Sequence, residues 1–295
     1  MPADSPVDKA AHKLSELVTQ RTNDRIKIEI FPASQLGTQK DMYEMLRMGG
    51  IQMMWAGDYV AMRAVPEFRG FHWPYTFNDE AHVARFMDGP MGQTWREEIL
   101  KRTGIETLGY MIRSARHLTC NKPVYRVEDV KGVKLRSAQN PIYIKGFGTF
   151  GFVVTPIAFG ELFTALQQGV VDAQENPFDM IFGHGLYEVQ KYLILTRHQF
   201  SNYQLHTNDK FFKGLANEDQ EIIRKSVKEA TDFGNRLTKQ TEGELLAKLK
   251  EAGMTVIGPP ELDRDSFREK AKNIPQDLVS KWYPGFRDAV EAAAQ

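Results

Sequence analysis

Apolar residues recur at helical spacing from the start of the chain. Val7, Ala10, Ala11, Leu14, Leu17 and Val18 predict an amphipathic helix, with Ser5 placed to cap it and Pro6 in its first turn. The period then changes to two: Ile26, Ile28 and Ile30 alternate with charged residues and predict a strand with one face in water. Thr38 opens a second helix, with Met42, Met45 and Leu46 inward and Gly49-Gly50 as its stop. The apolar run at 51–56 reads as a buried strand. Helix, strand, helix, strand is the alternation of an α/β sheet.

An irregular aromatic stretch at 66–74 precedes a helix expected from an Asn78 cap to Asp88, and another helix is expected over 90–102. Strands are predicted at 106–112, 117–120, 133–137, near 153 and at 170–174, with a further extended segment at 198–207. Helices are predicted at 142–149 and 160–168. The longest element runs over 218–252, where Ile222, Ile223, Val227, Ala230, Leu245, Leu246 and Leu249 keep helical spacing to Gly253. Such a helix is roughly 50 Å long, more than one small domain needs. With no internal repeat or linker, the pattern predicts two α/β lobes joined by several crossings, a hinged clamp with its ligand in the cleft.

Composition narrows the function. A chain of 295 residues suggests about two domains. Its 38 Lys and Arg balance 38 Asp and Glu, so nothing electrostatic points to nucleic acid. No run of 18 apolar residues is present to span a membrane as a helix. The single Cys120 excludes an internal disulfide and a CxxC site, and the seven histidines form no metal-ligand spacing. There is no GxSxG, GxGxxG or P-loop, and Asp172 with Glu175 is a weak acid/base pair. Neither a catalytic centre, a cofactor nor a metal is expected. Arg116 and Arg136, beside predicted strands in apolar surroundings, have two readings: surface salt-bridge partners, or guanidinium forks for a carboxylate. Asn176 adds an amide and Phe159 an apolar wall.

The run Gly132-Val-Lys-Leu-Arg136, then 155–177 from Thr155-Pro-Ile-Ala-Phe159 to Glu175-Asn176-Pro177, resembles one family. It is similar to the DctP-type solute-binding subunit of tripartite ATP-independent periplasmic (TRAP) transporters. Phe31-Pro-Ala-Ser-Gln-Leu-Gly37, Trp73-Pro-Tyr75, Arg116-His-Leu-Thr-Cys-Asn121 and Tyr187-Glu-Val-Gln-Lys-Tyr192 fit in the same order, so the resemblance covers the whole chain.

The resemblance implies a two-lobe, type II-like periplasmic binding protein with an interlobe ligand cleft and a long helix spanning both lobes. Lobe I is expected at 1–113 plus about 202–241, and lobe II at about 114–201 plus 242–295. It implies that Arg136 grips a ligand carboxylate, that Arg116 assists, and that Asn176 and Phe159 complete that side. Gln39, Gly57, Asp58 and Trp73 occupy the matching regions of lobe I. The implied function is capture of a small organic acid in the periplasm and delivery to a small and a large membrane subunit, by a monomer that is not an enzyme. A leader and a first strand are expected upstream of Met1. The acid itself stays open: C4-dicarboxylate, 2-oxo acid, sugar acid, sialic acid or aromatic acid. The rival functions are the binding component of another uptake or sensing system, and an enzyme on a similar clamp.

Overall fold

The computed structural model describes residues 4–33, 35–57 and 59–295. Among the described residues the strands are β1 (Met53–Ala56), β2 (Ile105–Ile112), β3 (Arg116–Cys120), β4 (Lys134–Ser137), β5 (Val153–Pro156), β6 (Ala173–Asn176), β7 (Tyr192–Gln199), β8 (Asn202–Asn208) and β9 (Thr255–Ile257). The chain forms two compact units, one of residues 4–68, 83–113 and 201–240, the other of 69–82, 114–200 and 241–295.

Unit 1 holds a three-stranded antiparallel sheet in the order β1-β8-β2. The helix Pro6–Arg21 covers it with Leu14 and Val18, and Ser5 accepts the Asp8 N–H as its cap. The helix Gln39–Met48 has the reciprocal Thr38–Asp41 capping box and ends at Gly49 in a left-handed conformation, φ 78°, which glycine adopts without a Cβ clash. Ile26, Ile28 and Ile30 do not join a ladder, contrary to the expected strand. The alternation is real, because Ile26 and Ile28 pack on the Leu14–Val18 cluster. Local hydroxyls replace some of the missing ladder bonds: Ser15 donates to Ile28 O at 2.7 Å, and Thr22 Oγ1 accepts the Ile26 N–H at 3.1 Å.

Unit 2 holds a six-stranded mixed sheet in the order β5-β4-β6-β3-β7-β9. The parallel pairs are β4–β5, β4–β6 and β7–β9; β3 runs antiparallel to β6 and β7. Parallel strands buried on both faces need apolar neighbours. Leu135, Ala173, Ile194, Phe147 and Phe267 supply them.

Three expectations need correction. The stretch 69–82, expected in lobe I, belongs to unit 2. Its aromatic side chains explain this: Trp73 is 2% exposed in the unit 2 core and donates its indole N–H to Ala271 O at 2.7 Å. Tyr75 is held by His198 O and Thr196 O. The extended segment 198–207 is two strands, the end of β7 and β8, interrupted at Phe200-Ser201, where the chain passes from one unit to the other. The helix Glu80–Asp88 is capped by Asp79, which accepts the His82 N–H at 2.8 Å, and not by Asn78.

The long helix is present as Asn217–Glu251, 35 residues. Ile223, Val227 and Ala230 belong to the core of unit 1, whereas Leu249 belongs to a core of unit 2. A single period therefore serves two cores.

Candidate functional site

The chemistry collects on three adjacent strands of unit 2, where β6 lies between β4 and β3. Arg136 is the third residue of β4, opposite Thr155 of β5, and is only 3% exposed. Its Nε donates to Ile157 O at 3.0 Å, and its guanidinium lies over the Phe159 ring, 5.5 Å from the centroid. Among the described residues Arg136 enters no ion pair. Burial pushes its pKa down to about 10, with Glu175 opposing that shift and the Arg116 charge adding to it. At neutral pH the group is still a cation, desolvated and without a counterion of its own.

Arg116, at the start of β3, is bound quite differently. Its Nε donates to Glu175 Oε2 and its Nη2 to Glu175 Oε1 at 2.9 Å, a two-point fork. The same Nη2 reaches Glu175 O at 2.8 Å and Asn176 Oδ1 at 3.0 Å. Asn176 in turn donates to Gln174 Oε1 at 2.6 Å, and Gln174 donates to Thr119 Oγ1 at 2.9 Å.

Glu175 is fully buried, and burial alone would raise its pKa. The Arg116 charge and the hydrogen bonds from His198 and Arg116 outweigh that and hold it at about 2. An ionised carboxylate only accepts, and burial keeps His198 neutral, so His198 carries its proton on Nε2, 3.1 Å from Glu175 Oε2. Its Nδ1 is then free to accept from the Thr196 hydroxyl at 2.8 Å. Glu175 neutralises one arginine, His198 is uncharged, and the site retains one positive charge in excess.

Of the residues singled out in the sequence, Arg116, Arg136, Asn176 and Phe159 come together in this unit. Trp73 does not belong with the lobe I contacts, because its ring is core and its N–H is committed. Gln39 is an exposed first residue of its helix in unit 1, and Asp58 lies outside the described residues. Asp172 is structural: its backbone N–H donates to Lys134 O at 2.8 Å and its carboxylate accepts the Lys134 N–H at 3.2 Å. Sequence reasoning underrated Glu175 and His198. Their importance comes from partners 59 and 23 residues away, which no spacing along the chain announces.

The sequence model of the bacterial extracellular solute-binding proteins, family 7 (DctP), matches residues 1–281. The chain belongs to that family of solute-binding proteins. It is 32% identical over 284 residues to the 2,3-diketo-L-gulonate-binding periplasmic protein YiaO of Escherichia coli, covering 96% of this chain and 86% of that one. A TRAP periplasmic solute-binding protein from Polaromonas, solved with D-erythronate, superposes with a TM-score of 0.89 at 30% identity, over 99% of this chain and 95% of that one. A counterpart from Shewanella oneidensis, solved with succinate, gives 0.92 at 26% identity over 99% and 95%.

Proposed function

We propose that this protein captures a small organic acid in the periplasm and hands it to the membrane subunit pair of a TRAP transporter, with Arg136 as the carboxylate anchor. The observation that carries the reading is the contrast between the two buried arginines: Arg116 has Glu175, whereas among the described residues Arg136 donates only to a backbone carbonyl. A carboxylate arriving at Arg136 supplies the missing counterion to a cation that folding has already desolvated, so binding gains the charge-assisted bonds without the full desolvation cost. Phe159 fixes the guanidinium plane from one side, and Asn176 and Glu175 hold Arg116 beside it. The relatives bind 2,3-diketo-L-gulonate, D-erythronate and succinate, which share a carboxylate on a short chain and differ in their hydroxyl and keto groups. Periplasmic residence and the TRAP partners are supported by family membership and by those relatives.

The test is a thermal-shift screen of such acids followed by calorimetry. A ligand that binds only the folded state raises the melting temperature. At least one short-chain acid is expected to do so in the wild-type protein and to fail with Arg136→Met. Acids that bind Arg136→Met as tightly as wild type would remove Arg136 as the anchor.

A further inference from the structure

Glu175 has two side-chain partners, Arg116 and His198, and the second depends on an irregularity in β7. Between the pairs Arg116↔Gln199 and Leu118↔Ile194, β3 advances two residues while β7 advances five, so the segment 195–198 bulges from the ladder. Inside the bulge Arg197 has φ 45°, in the left-handed region that a residue with a Cβ rarely adopts. Its neighbours Thr196 and His198 are both buried, and their side chains meet across it, Thr196 Oγ1 to His198 Nδ1 at 2.8 Å. His198 Nε2 is thereby turned to Glu175 Oε2 at 3.1 Å.

A strained residue of this kind persists only where its surroundings fix it. The backbone on either side is tied to Tyr75: Thr196 O accepts from the Tyr75 hydroxyl at 2.9 Å, and His198 O from the Tyr75 N–H at 2.7 Å. The Arg197 side chain adds a second constraint. Its Nη2 lies 3.2 and 3.4 Å from the two carboxylate oxygens of Glu80, and its Nη1 lies 3.7 Å from Glu242 Oε1 on the long helix. The guanidinium also covers the Phe200 ring, 5.3 Å from the centroid. All of these residues belong to unit 2. A partly exposed ion pair contributes little net stability, so the consequence of this one lies in where it holds the chain.

We propose that Arg197 is a positioning residue of the acid site: its contacts with Glu80 and Glu242 hold the left-handed turn that aims His198 Nε2 at Glu175. The proposal rests on the reading of Arg136 as the carboxylate anchor and extends that site to three residues outside it. The link to binding runs through Glu175, whose charge is close enough to Arg136 to act on it. With His198 and Arg116 both in place, the Glu175 carboxylate is committed to them. Without His198 it loses a donor and competes with the solute for the Arg136 guanidinium.

The experiment pairs nitrogen–proton spectra of the unliganded full chain, labelled with 15N-histidine, with calorimetry using succinate and D-erythronate. His198→Gln assigns the His198 signals. Wild type is expected to show His198 as a single neutral imidazole with its proton on Nε2. Arg197→Met should lose that pattern and weaken acid binding at least fivefold, and Arg197→Lys, which keeps the charge, should restore part of both. The double variant Glu80→Gln/Glu242→Gln should move both readouts in the same direction, and it carries the test if Arg197→Met does not fold. An unchanged His198 pattern in these variants would overturn the proposal and leave Arg197 a surface ion-pair partner. A changed pattern with unchanged affinity would overturn it too, because His198 would then have no bearing on the acid. Failure of wild type to bind either acid counts against the reading of Arg136 instead, and the unliganded spectra still decide whether Arg197 places His198.

Discussion

Arg116 and Glu175 close a two-point ion pair across neighbouring strands, with the arginine and the carboxylate both buried. The pair contributes position more than net stability, because the desolvation of both ions offsets much of their attraction. It places a neutralised guanidinium beside Arg136, whose own charge has no such answer.

Breaking that pair from one side should be costly. Glu175→Gln leaves Arg116 a buried cation without a counterion, and the expected loss is about 3–5 kcal/mol in urea unfolding. The double variant Arg116→Met/Glu175→Gln should recover a substantial part of it. Equal losses in single and double variants would show that the pair does not act as a unit.

Arg136 should behave in the opposite way. Arg136→Met removes a desolvated, unpaired charge, so the unliganded protein should melt no lower than wild type and should lose its acid ligand. Arg136→Lys keeps the charge without the planar fork and should weaken binding by about 2 kcal/mol. Thermal melting and calorimetry on the same preparations check both. A marked fall in unliganded stability for Arg136→Met would mark the residue as structural.

Acid should destabilise the fold from pH 6.5 downward. Burial lowers the His206 pKa to about 3, whereas the unfolded chain takes up its proton near 6.5. The stabilisation is therefore complete above 6.5 and is lost as pH falls towards 3, at up to about 1.4 kcal/mol per pH unit. His198 is shifted in the same direction, by burial against the opposing pull of Glu175. Glu175, held at about 2, adds a further loss only below about 4.5, its ordinary value. Urea unfolding at pH 7, 6 and 5 should show the slope, and His206→Gln should reduce it. A pH-independent stability over that range would contradict the burial of these neutral imidazoles.

Two glycines should respond in opposite senses. A Cβ on Gly243, in the long helix, meets nothing within 4 Å, so Gly243→Ala should stabilise the protein by up to about 1 kcal/mol through helix propensity. A Cβ on Gly109 would come within 2.7 Å of Val227 Cγ1, and Gly109→Ala should cost about 1–3 kcal/mol by overpacking. Denaturant midpoints of the two variants decide this directly.

Local rules were enough for the elements whose signals are local. The Ser5 cap with the Val7–Val18 stripe, the Thr38 capping box and the apolar period of Asn217–Glu251 each rest on residues three or four apart, and each is found in the structure. The family resemblance added what spacing does not contain, the expectation of a carboxylate role for Arg136. Period two at Ile26–Ile30 correctly reported one buried face, but alternation says nothing about whether a neighbouring strand is there to complete the ladder.

The sequence by itself determined the α/β class, the long helix and the arginines worth attention, because hydrophobic period, caps and residue type act over a few residues. Tertiary structure alone decided which of the two arginines, among the described residues, has a carboxylate for a partner and which does not. Arg116 meets its carboxylate across 59 residues of chain. It also moved Trp73 from a supposed ligand contact into the core of unit 2, through a hydrogen bond to Ala271 that spans 198 residues. Burial, pairing and unit membership depend on contacts between distant segments, and only the folded chain brings those segments together.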